Sequence, residues 1–401
     1  MKEINTNSGS KTITEPGPWP HFAPDEVEAV TAVLKSGKVN YWTGEVGRIF
    51  EKEFAQAVGC EFGVALHNGS LALELALHAL GIMPGDEVVV TPRTFLASAS
   101  AAVVRGSKPV FADVDRDSGN ITAAAIEAVL TPKTKAIITV HLAGWPCDMD
   151  PILALAKKHN LKVIEDCAQC HGAAYKGRPC GSLGDAAAWS FCQDKIMTTG
   201  GEGGMLTTGD PAVWEKAWAY KDHGKSYDAV YNREHAPGFR WLHESFGTNW
   251  RMLEVQAAIG RVQLTKLDGW VDVRRRNAAV LIDSFSEIPA LRVPVPSSDF
   301  GHAYYKFYAY VVPERLKDGW SRDRIMVTLN SLGISCTVGS CSEIYLEKAF
   351  ADAGLQPPER LPVARELGET ALMFLVHPTL TEGYMHHVAD SVKSVMKEAS
   401  R

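Results

Sequence analysis

The sequence predicts an α/β protein: a mostly parallel sheet flanked by helices, followed by a smaller C-terminal α/β domain. Three observations carry this. Short β-branched runs alternate with longer helical stretches between residues 60 and 210. Most of these runs are nearly continuous in apolar residues, as strands buried on both faces are. Beyond residue 252 the pattern changes to one very long helical stretch, a half-exposed strand and a closing amphipathic helix. Strand–helix alternation of this kind implies a parallel sheet, with the ligand site at the carboxyl ends of its strands.

The elements follow in order. The opening "MKEINTNSGSKTITEPGPWP" is polar and has no apolar h-region, so residues 1–24 read as a tail or an arm packing on a partner rather than a secretory signal. A helical pattern, "SLALELALHALG", starts at Ser70. Strand candidates are "EVVVTP" from Glu87, "KPVFADV" from Lys108, "KAIITVHL" from Lys135, "KVIEDCA" from Lys162, "AAWSF" from Ala187 and "GGMLTT" from Gly203, with the helical "AAAIEAVL" between the second and third. The stretch from Met252 to Phe285 is longer than a typical domain helix and is expected to join a large domain, residues 25–265, to a small one, residues 266–401. There, "HAYYKFYAYVVP" alternates as a strand and "VADSVKSVMKEAS" closes as a helix.

The composition excludes several classes. The chain has 401 residues, a net charge of −6 and no apolar run of transmembrane length, so neither nucleic acid nor a membrane is an expected partner. An anionic small ligand then needs a local basic pocket. Eight scattered cysteines indicate reduced thiols and a cytoplasmic protein. The single CxxC, "CAQC" at 167–170, has no second pair at zinc-finger distance and is read as buried thiols near a strand end, with no metal expected.

The chemistry centres on Lys195, which stands between an apolar run and a glycine-rich turn in "SFCQDKIMTTGGEGGM". The turn is not closed by Lys-Ser or Lys-Thr, so it is not a P-loop, and it lacks the GxGxxG spacing of a dinucleotide fold. Asp166, in "VIEDCAQCHGA", falls at the end of an apolar strand, where a carboxylate needs a partner. Alone it reads as a helix cap or an ion-pair member. Paired with Lys195 it fits pyridoxal 5'-phosphate, which requires a Schiff-base lysine and a carboxylate on its ring nitrogen. Gly69 and Ser70 precede a helix whose N-terminus suits a phosphate, or is simply well capped. Ser190 offers another phosphate donor, and Phe95 either stacks on the ring or belongs to the core.

These blocks, in the order "GDEVVVTPRTF", "KPVFADVD", "VIEDCAQCHGA", "WSFCQDKIMTTGGEGGML" and "GTNWRMLEVQAAIGRVQLTKLD", resemble the DegT/StrS family of sugar aminotransferases. The resemblance implies a fold type I pyridoxal-phosphate transferase related in fold to aspartate aminotransferase. It implies that Lys195 holds the cofactor and shuttles protons, and that Asp166 pairs with the ring nitrogen. Gln169 would sit at the ring's hydroxyl edge, Gly69, Ser70 and Ser190 on the phosphate, and Phe95 against the ring face. Asn249 matches a residue that reaches the phosphate from a second subunit, implying a homodimer with shared sites.

Lysine at the Schiff-base position implies transamination, because family members that dehydrate sugars carry histidine there. The implied reaction is a ping-pong transfer from an amino acid, glutamate by analogy, to a nucleotide-linked keto-sugar. A keto-cyclitol or other ketone as acceptor and a non-catalytic regulatory protein of the same fold are the alternatives. The chain departs from the family in "FCQDK", where relatives commonly carry histidine or proline, in the segment 221–247, and in "GSCSEIYLEKAF". Substrate candidates are therefore open: Tyr41, Trp42, His243 and His302, each equally suited to packing, and Arg251, equally suited to a structural ion pair.

Overall fold

The computed structural model describes residues 3–4, 13–14 and 17–401. Most of the expected N-terminal arm thus lies outside the described residues. Seven strands form the central sheet: β1 (Phe62–Leu66), β2 (Glu87–Val90), β3 (Lys108–Phe111), β4 (Thr134–Val140), β5 (Lys162–Asp166), β6 (Ala186–Ser190) and β7 (Gly204–Thr208), in the order β1-β7-β6-β5-β4-β2-β3. All neighbours are parallel except β7, which runs antiparallel to both β1 and β6. The six predicted strands are all present. β1 was not anticipated, because "FGVAL" is short and carries a glycine. That glycine serves close packing: a Cβ on Gly63 would lie 2.5 Å from the Glu51 carbonyl oxygen.

The strands are buried as their apolar runs predict. Val88, Val90, Ile138, Ile164 and Leu206 are at most 1% exposed and share one core with the helix Gly69–Ala79. Each such side chain contributes about 1.5–3 kcal/mol. The parallel strands send their carboxyl ends to one edge of the sheet, which brings the segments after β1, β2, β5 and β6 together there.

The long helix Glu254–Phe285 is continuous across residue 265. Its first half supplies Ala257, Leu267 and Val271 to the core around Phe50, Phe54 and Trp189. Its second half supplies Ala278, Leu281 and Phe285 to a separate core under a four-stranded antiparallel sheet. That sheet comprises β8 (Leu291–Arg292), β9 (Phe307–Val311), β10 (Cys336–Thr337) and β11 (Ala371–Phe374), in the order β8-β9-β11-β10. The strand expected from His302 starts only at Phe307. Residues before it turn away, with Tyr304 at φ 47° and Ala303 N–H donating to the Gly144 carbonyl. The closing helix covers Glu382–Ala399.

Candidate active site

A cleft of about 900 Å³ lies at the carboxyl edge of the large sheet, walled on its other side by C-terminal residues including Tyr305, Lys306, Thr337, Cys341 and Met373. Gly69, Ser70, Phe95, Asp166, Gln169, Ser190 and Lys195, separated by up to 126 positions in sequence, all line it.

Asp166 ends β5 and is 5% exposed. Its Oδ2 accepts the Ser98 hydroxyl at 2.7 Å, and its Oδ1 accepts the Ala168 N–H at 3.1 Å. Burial pushes its carboxyl up, while Ser98, the Ala168 N–H and Lys195 oppose that shift. A carboxylate held this way stays ionised best against a cationic partner. Gln169 Oε1 accepts the Ala143 N–H at 2.8 Å, tying that loop to the end of β4.

The helix after β1 is capped by Asn68, whose side chain accepts the Leu71 N–H at 3.0 Å. This leaves the first-turn N–H groups of Gly69 and Ser70 without intrahelical partners. A Cβ on Gly69 would lie 2.6 Å from Ser190 Cβ, so the helix terminus and the Ser190 hydroxyl are pressed into one cradle. The glycine-rich turn has a similar origin. A Cβ on Gly204 would lie 2.2 Å from the Asn68 carbonyl oxygen, so only glycine lets β7 pass beneath this cradle.

Phe95, just beyond β2, is 70% exposed on the cleft wall rather than part of the core. Lys195 has a side chain only 15% exposed, and its carbonyl accepts the Trp19 indole N–H at 2.9 Å. Trp19 in turn packs on Trp270 and under the Arg274 guanidinium, so the chain just after the undescribed arm straps the back of the lysine loop. A buried carboxylate after β5, an N-terminal helix cradle after β1 and a half-buried lysine after β6, all at one edge of the sheet, fit the ring nitrogen, phosphate and carbonyl carbon of pyridoxal phosphate.

Five substrate candidates do not line this cleft. Tyr41 is 1% exposed; its hydroxyl donates to Glu51 and accepts from Trp218, within the network around the buried Lys221. Arg251 ion-pairs with Asp222 at 2.6 Å, and Trp42 donates to the same carboxylate. His302 is buried and stacks on Tyr304 at 3.8 Å beside a separate small cavity. His243 bridges Lys225 on an exposed segment. Asn249 is exposed and likewise outside this chain's cleft. The Cys167 and Cys170 thiols are buried as expected. The Sγ atoms of Cys170 and Cys180 come within 4.8 Å of each other and of the His141 ring, whose nitrogens are already engaged by the Cys147 N–H and Glu165.

Sequence reasoning missed Ser98, Tyr305 and Lys306. Ser98 sits one turn beyond Phe95 in "TFLASAS", a spacing that points both residues to the same edge. Tyr305 and Lys306 come from the small domain and left no local signal.

The whole chain matches known proteins. The model of the DegT/DnrJ/EryC1/StrS aminotransferase family covers residues 20–393. The spore coat polysaccharide biosynthesis protein SpsC of Bacillus subtilis is 37% identical over 95% of this chain and 96% of that protein. The GDP-perosamine synthase of Caulobacter vibrioides is 38% identical over 88% and 92%. The crystal structure of the aminotransferase from Psychrobacter cryohalolentis superposes with a TM-score of 0.94 at 58% identity, over 95% of this chain and 99% of that one. With the family model spanning nearly every described residue, and a cleft suited to the cofactor at its centre, this chain belongs to the DegT/DnrJ/EryC1/StrS family of pyridoxal-phosphate-dependent aminotransferases.

Proposed function

We propose that this enzyme moves an amino group from an amino acid, glutamate, to the keto group of a nucleotide-linked sugar in ping-pong order. The observation that carries the reading is the convergence of Lys195, Asp166 and the Gly69–Ser190 cradle on one cleft. The size of the cleft, at the upper end for small-molecule sites, suits a sugar nucleotide, and the GDP-perosamine synthase relative supports that acceptor class.

When bound, pyridoxal phosphate supplies an electrophilic carbonyl carbon and a conjugated ring that accepts the electron pair left by a departing proton. Gly69, Ser70 and Ser190 bind its phosphate through N–H and hydroxyl groups. Asp166 holds the proton on the ring nitrogen, braced by Ser98. Phe95 covers a ring face and keeps water from it. Lys195 Nζ, once displaced by the donor amine, would take the proton from the donor Cα as a base and give it back as an acid. The donor leaves as a keto acid before the keto-sugar enters, and the same residues act in reverse.

The exposed Asn249 supports a homodimer in which it serves the other copy's cleft. The eight free thiols suit the reducing cytoplasm, and no described helix is long and apolar enough to cross a membrane.

The test is the absorbance spectrum of the holoenzyme before and after glutamate, without acceptor. A visible band that shifts to the pyridoxamine form, and is absent from Lys195→Ala, is the expected result. A band that ignores every amino acid would overturn the donor half-reaction. A panel of nucleotide keto-sugars and free keto-cyclitols then assigns the acceptor, and turnover of the cyclitols alone would overturn the sugar assignment.

A further inference from the structure

Beside Lys195 the cleft holds a second lysine that the cofactor residues leave unused. Lys306, from the turn before β9, reaches it with a fifth of its side chain exposed. Its Nζ stands 3.6 Å from Asp194 Oδ2, while Lys195 Nζ stands 4.0 Å from the other oxygen of that carboxylate. Both ammonium groups also lie against the same Tyr305 ring, at 4.8 and 5.1 Å from its centroid. The Tyr305 hydroxyl donates to Asp194 as well.

Behind this ring Arg274 is 1% exposed, donates only to the Tyr305 carbonyl at 3.2 Å, and has Nε and Nη2 without acceptors among the described residues. Asp194 is the carboxylate the two lysines share, and the Arg274 charge behind the ring has no ion-pair partner among the described residues. The nearby imidazoles stay neutral and add no further positive charge: burial, together with these cations, holds His171 down to about 3 and His377 to about 4. An ammonium in such a partly desolvated site favours an incoming anion.

The chemistry says where that anion comes from. The donor amine must reach the position that Lys195 Nζ holds, and an amino acid carries its α-carboxylate two bonds from that amine. Lys306 shares a carboxylate and a ring with Lys195 Nζ, which sets the two ammonium groups in one part of the cleft. We propose that Lys306 is a substrate-binding residue that receives the α-carboxylate of the amino donor, with Asp194 and Tyr305 holding its ammonium in place until the donor arrives. The proposal rests on the transaminase reading above.

The experiment compares glutamate with its α-amide in the donor half-reaction of the holoenzyme, followed by absorbance, for wild type, Lys306→Met and Lys306→Arg. Wild type should convert glutamate far faster than the amide. Lys306→Met should lower the second-order rate for glutamate on the order of 10²-fold while changing the amide less than about threefold, and Lys306→Arg should keep the preference. Nucleoside diphosphate affinity should be unchanged in Lys306→Met. A Met variant that still prefers glutamate, or loses both donors equally, would overturn the proposal and leave transamination intact. So would loss of nucleoside diphosphate affinity, which would assign the lysine to the acceptor's diphosphate. Wild type that converts neither donor would overturn the donor reading itself.

Discussion

Ser98→Ala removes one hydroxyl that is committed to a buried carboxylate. In the structure this hydroxyl donates to Asp166 Oδ2 at 2.7 Å and also meets the Thr94 hydroxyl at 2.8 Å. A hydrogen bond to an ionised, buried carboxylate is worth about 1.5–3 kcal/mol. Its loss pushes the Asp166 carboxyl further up, in the direction burial already drives it. The carboxylate then holds a ring-nitrogen proton less well. The expected outcome is a roughly 10- to 100-fold loss in cofactor affinity or in the donor half-reaction rate, read by cofactor titration and stopped-flow absorbance. The effect should run through Asp166 alone. In an Asp166→Asn background, Ser98→Ala should cost less than about 0.5 kcal/mol more, because the charge it served is gone. A Ser98→Ala enzyme with wild-type affinity and rate, or a full additional loss on top of Asp166→Asn, would refute this chain of reasoning.

Other consequences follow from the same geometry. Gly69→Ala puts a Cβ 2.6 Å from Ser190 Cβ and opens the phosphate cradle, so cofactor and inorganic phosphate should both bind at least tenfold more weakly, measured by titration. Lys221→Met strands Glu51, whose Oε1 accepts the Lys221 ammonium at 2.7 Å, and should cost about 3–5 kcal/mol in urea unfolding. Glu51→Gln together with Lys221→Met should recover part of that loss. His171 and His302 are each held to about 3, by burial first and then by neighbouring cations. Their folded values lie below the unfolded one, so the unfolded chain binds more protons as pH falls below about 6.5. Stability is complete above that pH and falls through the window toward 3, by about 1.4 kcal/mol per pH unit for each histidine. Equal unfolding midpoints at pH 7 and 5 would contradict this.

The local pattern of this sequence was enough for six of the seven central strands and for the helices Gly69–Ala79, Glu254–Phe285 and Glu382–Ala399, because burial on both faces writes a continuous apolar run and amphipathic helices write their own period. It also placed Lys195, Asp166, Ser190, Phe95 and the Gly69–Ser70 turn at or just beyond strand ends, which parallel strands present together, and all of them line the one cleft. What the local pattern does not contain is which distant segments meet. Tyr41 and His302 look like surface aromatics available to a substrate, but tertiary packing buries one against Glu51 and the other against Tyr304. The reversal of β7 depends on its pairing with β1, a strand 142 positions earlier at their first residues. The indole of Trp19 reaches the Lys195 carbonyl across 176 positions. The charge on Lys306 acquires meaning only where the small domain folds Tyr305 and Lys306 over Asp194. Such contacts join residues whose own neighbourhoods are unremarkable, so the residues at the strand ends were legible from the chain, while the facing wall of the cleft was decided by the packing of distant segments.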